Sequence, residues 1–234
     1  MRLEDVVDLA ELRGIDCRGA FHPEPPDDVP ALSDGTPVAT LVLMGFVGTK
    51  KWSGFASSPE ANDGEADPLD RWSRRIIDGL AASFDGVALY PFGGPPYLPF
   101  QRWARRADSV HPSPLGMLIH PHWGLWHSYR GALAFRRHLA LPPRVPIPSP
   151  CAACAAKPCL SACPVGAFTP GRYDVASCLH HLAAPIGRDC VDLGCRARNS
   201  CPIGAAHRYG ADQAAFHMRA FRASACTTAA PEPP

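Results

Sequence analysis

The chain has 234 residues, 46% of them hydrophobic and 19% charged, enough apolar material for one large core or two small ones and too much for wholesale disorder. Lysine plus arginine number 23 against 22 aspartate plus glutamate; a formal charge of +1 offers no long-range field for a polyanion, so nucleic acid is not an expected partner. The 27 prolines, about twice the usual share, and the 10 cysteines are the departures from an average domain, and they imply much loop and turn.

The first ten residues, MRLEDVVDLA, are interrupted by Glu4, Asp5 and Asp8, so no secretion signal is read there and a cytoplasmic location is expected. No run reaches the roughly 18 apolar residues that a membrane helix needs; Val38 to Val47 and Gly131 to Phe135 are the longest candidates, and no membrane partner is expected. Leu3 to Leu12 reads as an amphipathic helix with Leu3, Val6 or Val7 and Ala10 on one face, ended by Gly14. Val38 to Val47, VATLVLMGFV, follows the turn residues Asp34, Gly35, Thr36 and Pro37 and suits a strand buried on both faces. Asp67 is placed to cap a helix with Pro68 in its first turn, and Leu69, Trp72, Ile76, Ile77 and Leu80 carry that helix to about Phe84. Asp85 and Gly86 then turn into a strand over Val87 to Tyr90. Strand, helix, strand suggests an α/β layer, and the first domain is read as α/β (α+β).

Pro91 to Phe100 is too rich in glycine and proline for an interior element, and Gln101 to Asp108 suits a short helix. An unusually aromatic stretch follows, with His120, His122, Trp123, Trp126, His127 and Tyr129. His122 and His127 are five apart, about 500° around a helix, and align poorly for one shared ion. Rings packed beside a loop, a pocket for a flat cofactor and a metal site all remain open as readings of this stretch.

Cysteine placement carries the chemistry. Cys17 stands alone; Cys151, Cys154, Cys159, Cys163, Cys178, Cys190, Cys195 and Cys201 are crowded together; Cys226 trails. Pro142, Pro143, Pro146, Pro148 and Pro150 form a stiff approach to the crowded region, and a boundary there gives domains 1–146 and 147–234. Cysteines in a reducing compartment point to metal or redox chemistry rather than a disulfide framework. The run Cys151-Ala-Ala-Cys154 to Cys159-Leu-Ser-Ala-Cys163-Pro164 has ferredoxin character, with four residues rather than two between its second and third cysteines.

An internal echo strengthens it. Cys163-Pro-Val-Gly-Ala167 is matched by Cys201-Pro-Ile-Gly-Ala205, and each follows a cysteine pair with four residues between, Cys154 with Cys159 and Cys190 with Cys195. If the last cysteine of each half crosses to the other cluster, one set is Cys151, Cys154, Cys159 and Cys201, and the other is Cys163, Cys178, Cys190 and Cys195. These eight cofactor-binding ligands account for two [4Fe-4S] clusters, and a small ferredoxin-like dicluster domain is expected at the C-terminus. Four-cysteine zinc sites are the structural alternative. Val165, Ala167, Phe168, Leu179, Ile203 and Ala205 would form an apolar jacket. Arg188, Arg196, Arg198, His207 and Arg208 form a basic rim that either docks an acidic redox protein partner or is simply solvated. Cys17 and Cys226 read as ordinary thiols. One-electron transfer is the simplest function, with a structural metal-stabilised interaction module as an alternative.

The two cluster motifs, Cys151 to Pro164 and Cys178 to Pro202, resemble the dicluster module of iron–sulfur proteins related to epoxyqueuosine reductase and the corrinoid-dependent reductive dehalogenases. The resemblance is strong over about 50 residues. More distantly, Phe92 to Phe100 (FGGPPYLPF) and His111 to Leu133 look like the corrinoid-binding part of such proteins. The resemblance implies a corrinoid-dependent reductase as the alternative function, with cobalamin as a further cofactor that Pro91 to Tyr129 would face and the cysteine half would supply with electrons. No acidic residue here matches that grouping's proton donor, Asp108 being only a nearby carboxylate, and the catalytic residue stays unassigned. The sequence does not define an oligomeric state.

Overall fold

The computed structural model describes residues 1–169 and 171–228, with side chains through residue 223. These divide into two compact units: one comprises Met1–Val110 and His127–Ile147, the other His111–Trp126 and the chain from Pro148 onward. The excursion His111–Trp126 thus belongs with the cysteine half, which a boundary drawn only at the prolines does not anticipate.

The first unit is built on a four-stranded sheet in the order Asp16–Phe21, Thr40–Val47, His127–Phe135, Val87–Leu89. Every neighbouring pair is antiparallel. This is an α+β arrangement, and the α/β layer expected from strand, helix, strand is corrected: Thr40–Val47 and Val87–Leu89 are not neighbours, because His127–Phe135 lies between them. Strand Thr40–Val47 is apolar apart from Thr40, and Leu41, Val42, Leu43 and Met44 are fully buried. Opposite it, Ala132, Leu133, Ala134 and Phe135 pair in register with Leu43, Val42, Leu41 and Thr40.

Helix Pro68–Ser83 buries Leu69, Trp72, Ile76, Ile77 and Leu80, as its spacing predicts. Each such side chain contributes about 1.5–3 kcal/mol by leaving water. Asp67 sits at its N-cap position, but with left-handed backbone (φ 50°) and no capping side-chain bond; its carbonyl instead accepts from the Asp70 and Arg71 amides. Helix Leu3–Leu12 buries Val6 and Ala10, and helix Phe100–Ala107 buries Phe100, Trp103 and Ala104. The indole of Trp103 donates to the Asp27 carbonyl at 2.7 Å, so its polar edge is satisfied inside the core.

The second unit is a set of short helices and two two-residue hairpins, His111–Pro112 with Leu118–Ile119 and Phe168–Thr169 with Arg172–Tyr173. Its helices run Pro150–Ala153, Pro158–Ser161, Val175–Ala183, Arg188–Asp192, Arg196–Asn199 and Ala211–Thr228. Leu115, Ile119, Leu125, Cys159, Phe168, Ala197 and Cys201 form one small core, and Leu182, Cys190 and Val191 another. Among the described residues no helix is long and apolar enough to cross a membrane.

Candidate functional site

The second unit gathers the eight crowded cysteines. Cys151, Cys163 and Cys195 pack against the core that contains Cys159 and Cys201, while Cys178 packs against the one that contains Cys190. Charges on the thiols would act on each other in two sets. Cys151 is affected by Cys201, Cys159 and Cys154, and both Cys159 and Cys201 are affected by Cys154. Cys178 is affected by Cys163 and Cys190, and Cys195 by Cys190 and Cys178. Burial pushes the thiols of Cys151, Cys159, Cys178, Cys195 and Cys201 above the ordinary range, and neighbouring thiolates push in the same direction. Neighbouring thiolates that raise one another in this way need positive charge nearby to stay ionised.

Donors are already turned toward several of these sulfurs. The Ala167 amide donates to Cys163 Sγ at 3.3 Å, and backbone amides also serve Cys159, Cys195 and Cys201. Such donors favour the ionised sulfur and suit a thiolate-held cluster, so the residues present fit the group the sequence implies. Among the described residues no three His, Cys, Asp or Glu side chains converge on a single metal ion. The Cys-Pro echo is what favours iron and sulfide over zinc.

That echo extends into the backbone. Gly166 and Gly204, the fourth residues of the two Cys-Pro motifs, both adopt left-handed conformations, with φ +60° and +66°. They differ in surroundings. A Cβ on Gly166 would meet nothing within 4 Å, whereas one on Gly204 would lie 2.4 Å from the Trp123 carbonyl carbon. Reciprocally, a Cβ on Gly124 would lie 2.0 Å from the Ile203 oxygen. The turn after Cys201 and the aromatic loop thus meet backbone to backbone.

That loop is held by its own chemistry. His120 Nδ1 accepts from the His122 and Trp123 amides at 3.0 and 3.1 Å, and His122, Trp123 and His207 pack ring against ring. His127 instead opens a sheet strand of the first unit, edge-on to Tyr129.

The basic rim is smaller than its sequence suggests. Arg196 pairs with Asp189 at 2.8 Å and Arg188 with Asp192 at 3.4 Å. Arg198 lies over the Trp126 and Tyr209 rings at 4.7 and 4.5 Å and donates to the Leu125 carbonyl. In the expected jacket Ala167 and Phe168 are buried, but Val165 and Ala205 are exposed. Cys17 is a half-buried free thiol of the first unit, raised by burial, and the side chain of Cys226 lies outside the described residues.

The first unit holds a constellation that sequence reasoning missed. Arg18 Nη2 lies 2.6 Å from Asp108 Oδ2, and the Tyr129 hydroxyl donates to the same oxygen at 2.9 Å. The arginine side chain is 4% exposed and the aspartate 13%. Two β-bulges create the arrangement. In the first strand the register slips between Cys17 and Ala20, with Gly19 at φ +101°, where a Cβ would meet the Ala107 oxygen at 2.2 Å. In the second it slips at Arg130, between Gly131 and Tyr129, opposite Gly45, where a Cβ would meet the Ser128 oxygen at 1.8 Å. Bulges re-aim side chains, here one arginine and one tyrosine beside a carboxylate at the end of helix Phe100–Ala107. Burial, the Asp108 charge and its hydrogen bond raise the Tyr129 hydroxyl well above the usual phenol range. The run Asp16-Cys-Arg-Gly-Ala-Phe21 gives no regular alternation to read, which is why the strand and its arginine escape the sequence.

The fold of this chain is α+β with an antiparallel sheet. No protein-family model matches the chain and no curated protein matches it significantly. Solved structures do. An epoxyqueuosine reductase in complex with a tRNA-Tyr epoxyqueuosine-modified stem loop is similar with TM-score 0.52 and 16% identity, over 89% of this chain and 66% of that one. Epoxyqueuosine reductase from Bacillus subtilis matches with TM-score 0.52 and 16% identity, over 88% and 66%. The C. elegans B12-trafficking protein CblC matches with TM-score 0.50 and 13% identity, over 94% of this chain and 95% of that one. These likenesses are of fold. The chain spans about two thirds of the length of the epoxyqueuosine reductases it matches.

Proposed function

We propose that this chain is an iron–sulfur protein that carries single electrons through two [4Fe-4S] clusters. In this reading Cys151, Cys154, Cys159 and Cys201 hold one cluster, and Cys163, Cys178, Cys190 and Cys195 the other. The observation that supports it is the gathering of the eight crowded cysteines in the second unit, with Cys151, Cys163 and Cys195 packed against the core that contains Cys159 and Cys201, and Cys178 against the one that contains Cys190. The clusters would supply one-electron chemistry. The protein's part is to bury the sulfurs, turn backbone donors toward them and pack Cys163 and Cys195 against the core shared with Cys159 and Cys201. A redox protein partner and a cytoplasmic setting belong to the same reading. Its test is anaerobic purification followed by iron and acid-labile sulfide analysis, with about eight of each per chain expected. Zinc without sulfide would overturn it in favour of a structural metal-stabilised module.

A second reading, a corrinoid-dependent reductase, is favoured by the fold likeness to epoxyqueuosine reductases and to a B12-trafficking protein. Cobalamin would then accept the electrons. Tyr129, hydrogen-bonded to Asp108 against Arg18, is a protected hydroxyl able to hold a proton.

A further inference from the structure

Spacing in the sequence sets His122 beside His127, but the structure gives His122 a different neighbour within the second unit. His207, from the single turn Ala205–His207 that follows Cys201, brings its ring centre to 5.3 Å from that of His122, with the two planes tilted by 51°. Trp123 packs edge to face against both imidazoles, at 4.2 and 4.7 Å. The backbones that carry the pair are fixed close together. His120 Nδ1 closes the loop by accepting from the His122 and Trp123 amides, the His207 amide donates to the Gly204 carbonyl at 2.8 Å, and Gly124 and Gly204 meet where neither has room for a Cβ. The side chains are less committed than the backbones. Among the described residues no ring nitrogen of His122 or His207 makes a hydrogen bond or ion pair, and His122 is exposed while His207 is half-buried.

An ion shared by two imidazoles has to lie in both ring planes. With a nitrogen-to-metal bond of about 2.0–2.1 Å it sits about 3.2 Å from each ring centre, and a tetrahedral angle then puts the two centres about 5.2 Å apart. The spacing and tilt of His122 and His207 meet both conditions. His22 and His138 in the first unit do not, because their rings are stacked 3.5 Å apart with planes only 15° from parallel, so no point near both lies in the two planes. We propose that His122 and His207 form a two-imidazole site for a divalent transition-metal ion of the class that favours nitrogen ligands, such as Ni2+ or Zn2+, with water in the remaining positions. Two protein ligands make an exchangeable site rather than a closed structural one. An ion there fastens the aromatic loop to the turn after Cys201. The pair includes none of the eight crowded thiols, so this site does not depend on the two-cluster reading.

The experiment is equilibrium dialysis of the full, untagged chain, purified anaerobically, against Ni2+, with the wild type compared with His122→Gln, His207→Gln and the double variant. Chelation by two rings predicts a shared loss. Each single variant should bind the ion at least about tenfold more weakly than the wild type, and the double variant should be no more than about twofold weaker than either single one. Affinity that falls in two separate steps would mean two independent surface imidazoles, and affinity unmoved in both single variants would place the ion elsewhere; either result overturns the proposal. Nickel held at the thiols belongs to the second case, since both histidine variants would retain it, so this measurement and the sulfide analysis fail independently. Should a glutamine variant not fold, the wild type still gives an answer. Nickel should shield His122 and His207 together from diethylpyrocarbonate, read by peptide mass mapping, and shielding of only one or of neither would overturn the site.

Discussion

Cys178 stands apart from the closely spaced cysteines, alone on the helix Val175–Ala183, whose first turn is capped by Asp174. Its charge interactions are with Cys163 and Cys190, so its loss should fall on one set of thiols. Cys178→Ala is expected to lower iron content by up to about half and to remove one of two cluster signals, with the other unchanged, as read by iron analysis and electron paramagnetic resonance. Unchanged signals from both clusters would refute the assignment. Cys163 carries a different lesson at the same scale. Proline 164 redirects the chain just after it, and the Ala167 amide returns to donate to its sulfur, so one short motif both turns the backbone and supplies the thiolate with a partner.

At the scale of elements the two Cys-Pro turns are an internal comparison. Both glycines have positive φ, and an alanine at either site incurs a backbone penalty of about 1 kcal/mol. At Gly204 the added methyl also collides with the Trp123 and Gly124 backbone, so Gly204→Ala should cost about 1–3 kcal/mol more than Gly166→Ala in urea unfolding. Under the two-cluster reading it should also lower occupancy of the cluster assigned to Cys201. A second element-level prediction concerns acid. Arg75 lies along Glu60 at 2.5 Å, joining the short helix Pro59–Asn62 to helix Pro68–Ser83, and lowers the carboxyl from its ordinary 4.5 to about 2. A depressed folded-state value means that the contribution is complete above the unfolded value and is lost as pH falls from about 4.5 to about 2. Glu60→Gln should flatten the pH dependence of the urea midpoint in that window and leave its slope elsewhere unchanged.

Elements whose pattern is set by burial were legible in the sequence, and those set by partners were not. Helix Pro68–Ser83 and strand Thr40–Val47 carry their own periodicity. Strand His127–Phe135 changes from half-buried polar residues to a fully buried apolar half, and it reads as an aromatic stretch followed by a short apolar run. Strand Asp16–Phe21 is bent by a bulge, so alternation fails where Arg18 turns to meet Asp108, a contact 90 residues distant in sequence. The crowding of the eight thiols in one unit was visible because their spacing and echo are local. The backbone contact of Gly124 with Ile203 has no local signal, since any turn can use a glycine of positive φ.

At the scale of the whole molecule, the two readings differ in where electrons from the proposed clusters would go. The corrinoid reading is tested on the whole chain, because the fold likeness extends over 88–94% of it. In the first unit the Arg18, Asp108 and Tyr129 cluster is made without any of the eight crowded cysteines. Binding and reduction should therefore separate. Under the corrinoid reading, anaerobic protein loaded with clusters and reduced with dithionite should bind added cobalamin and, after removal of excess reductant, change its visible spectrum. A chain carrying Cys154→Ala and Cys178→Ala should retain binding, measured by gel filtration with bound absorbance, and lose the protein-dependent reduction. If the loaded wild type leaves cobalamin unbound, the corrinoid reading fails and the electrons must leave through a protein partner, which the two-cluster reading accommodates with no change in its ligands.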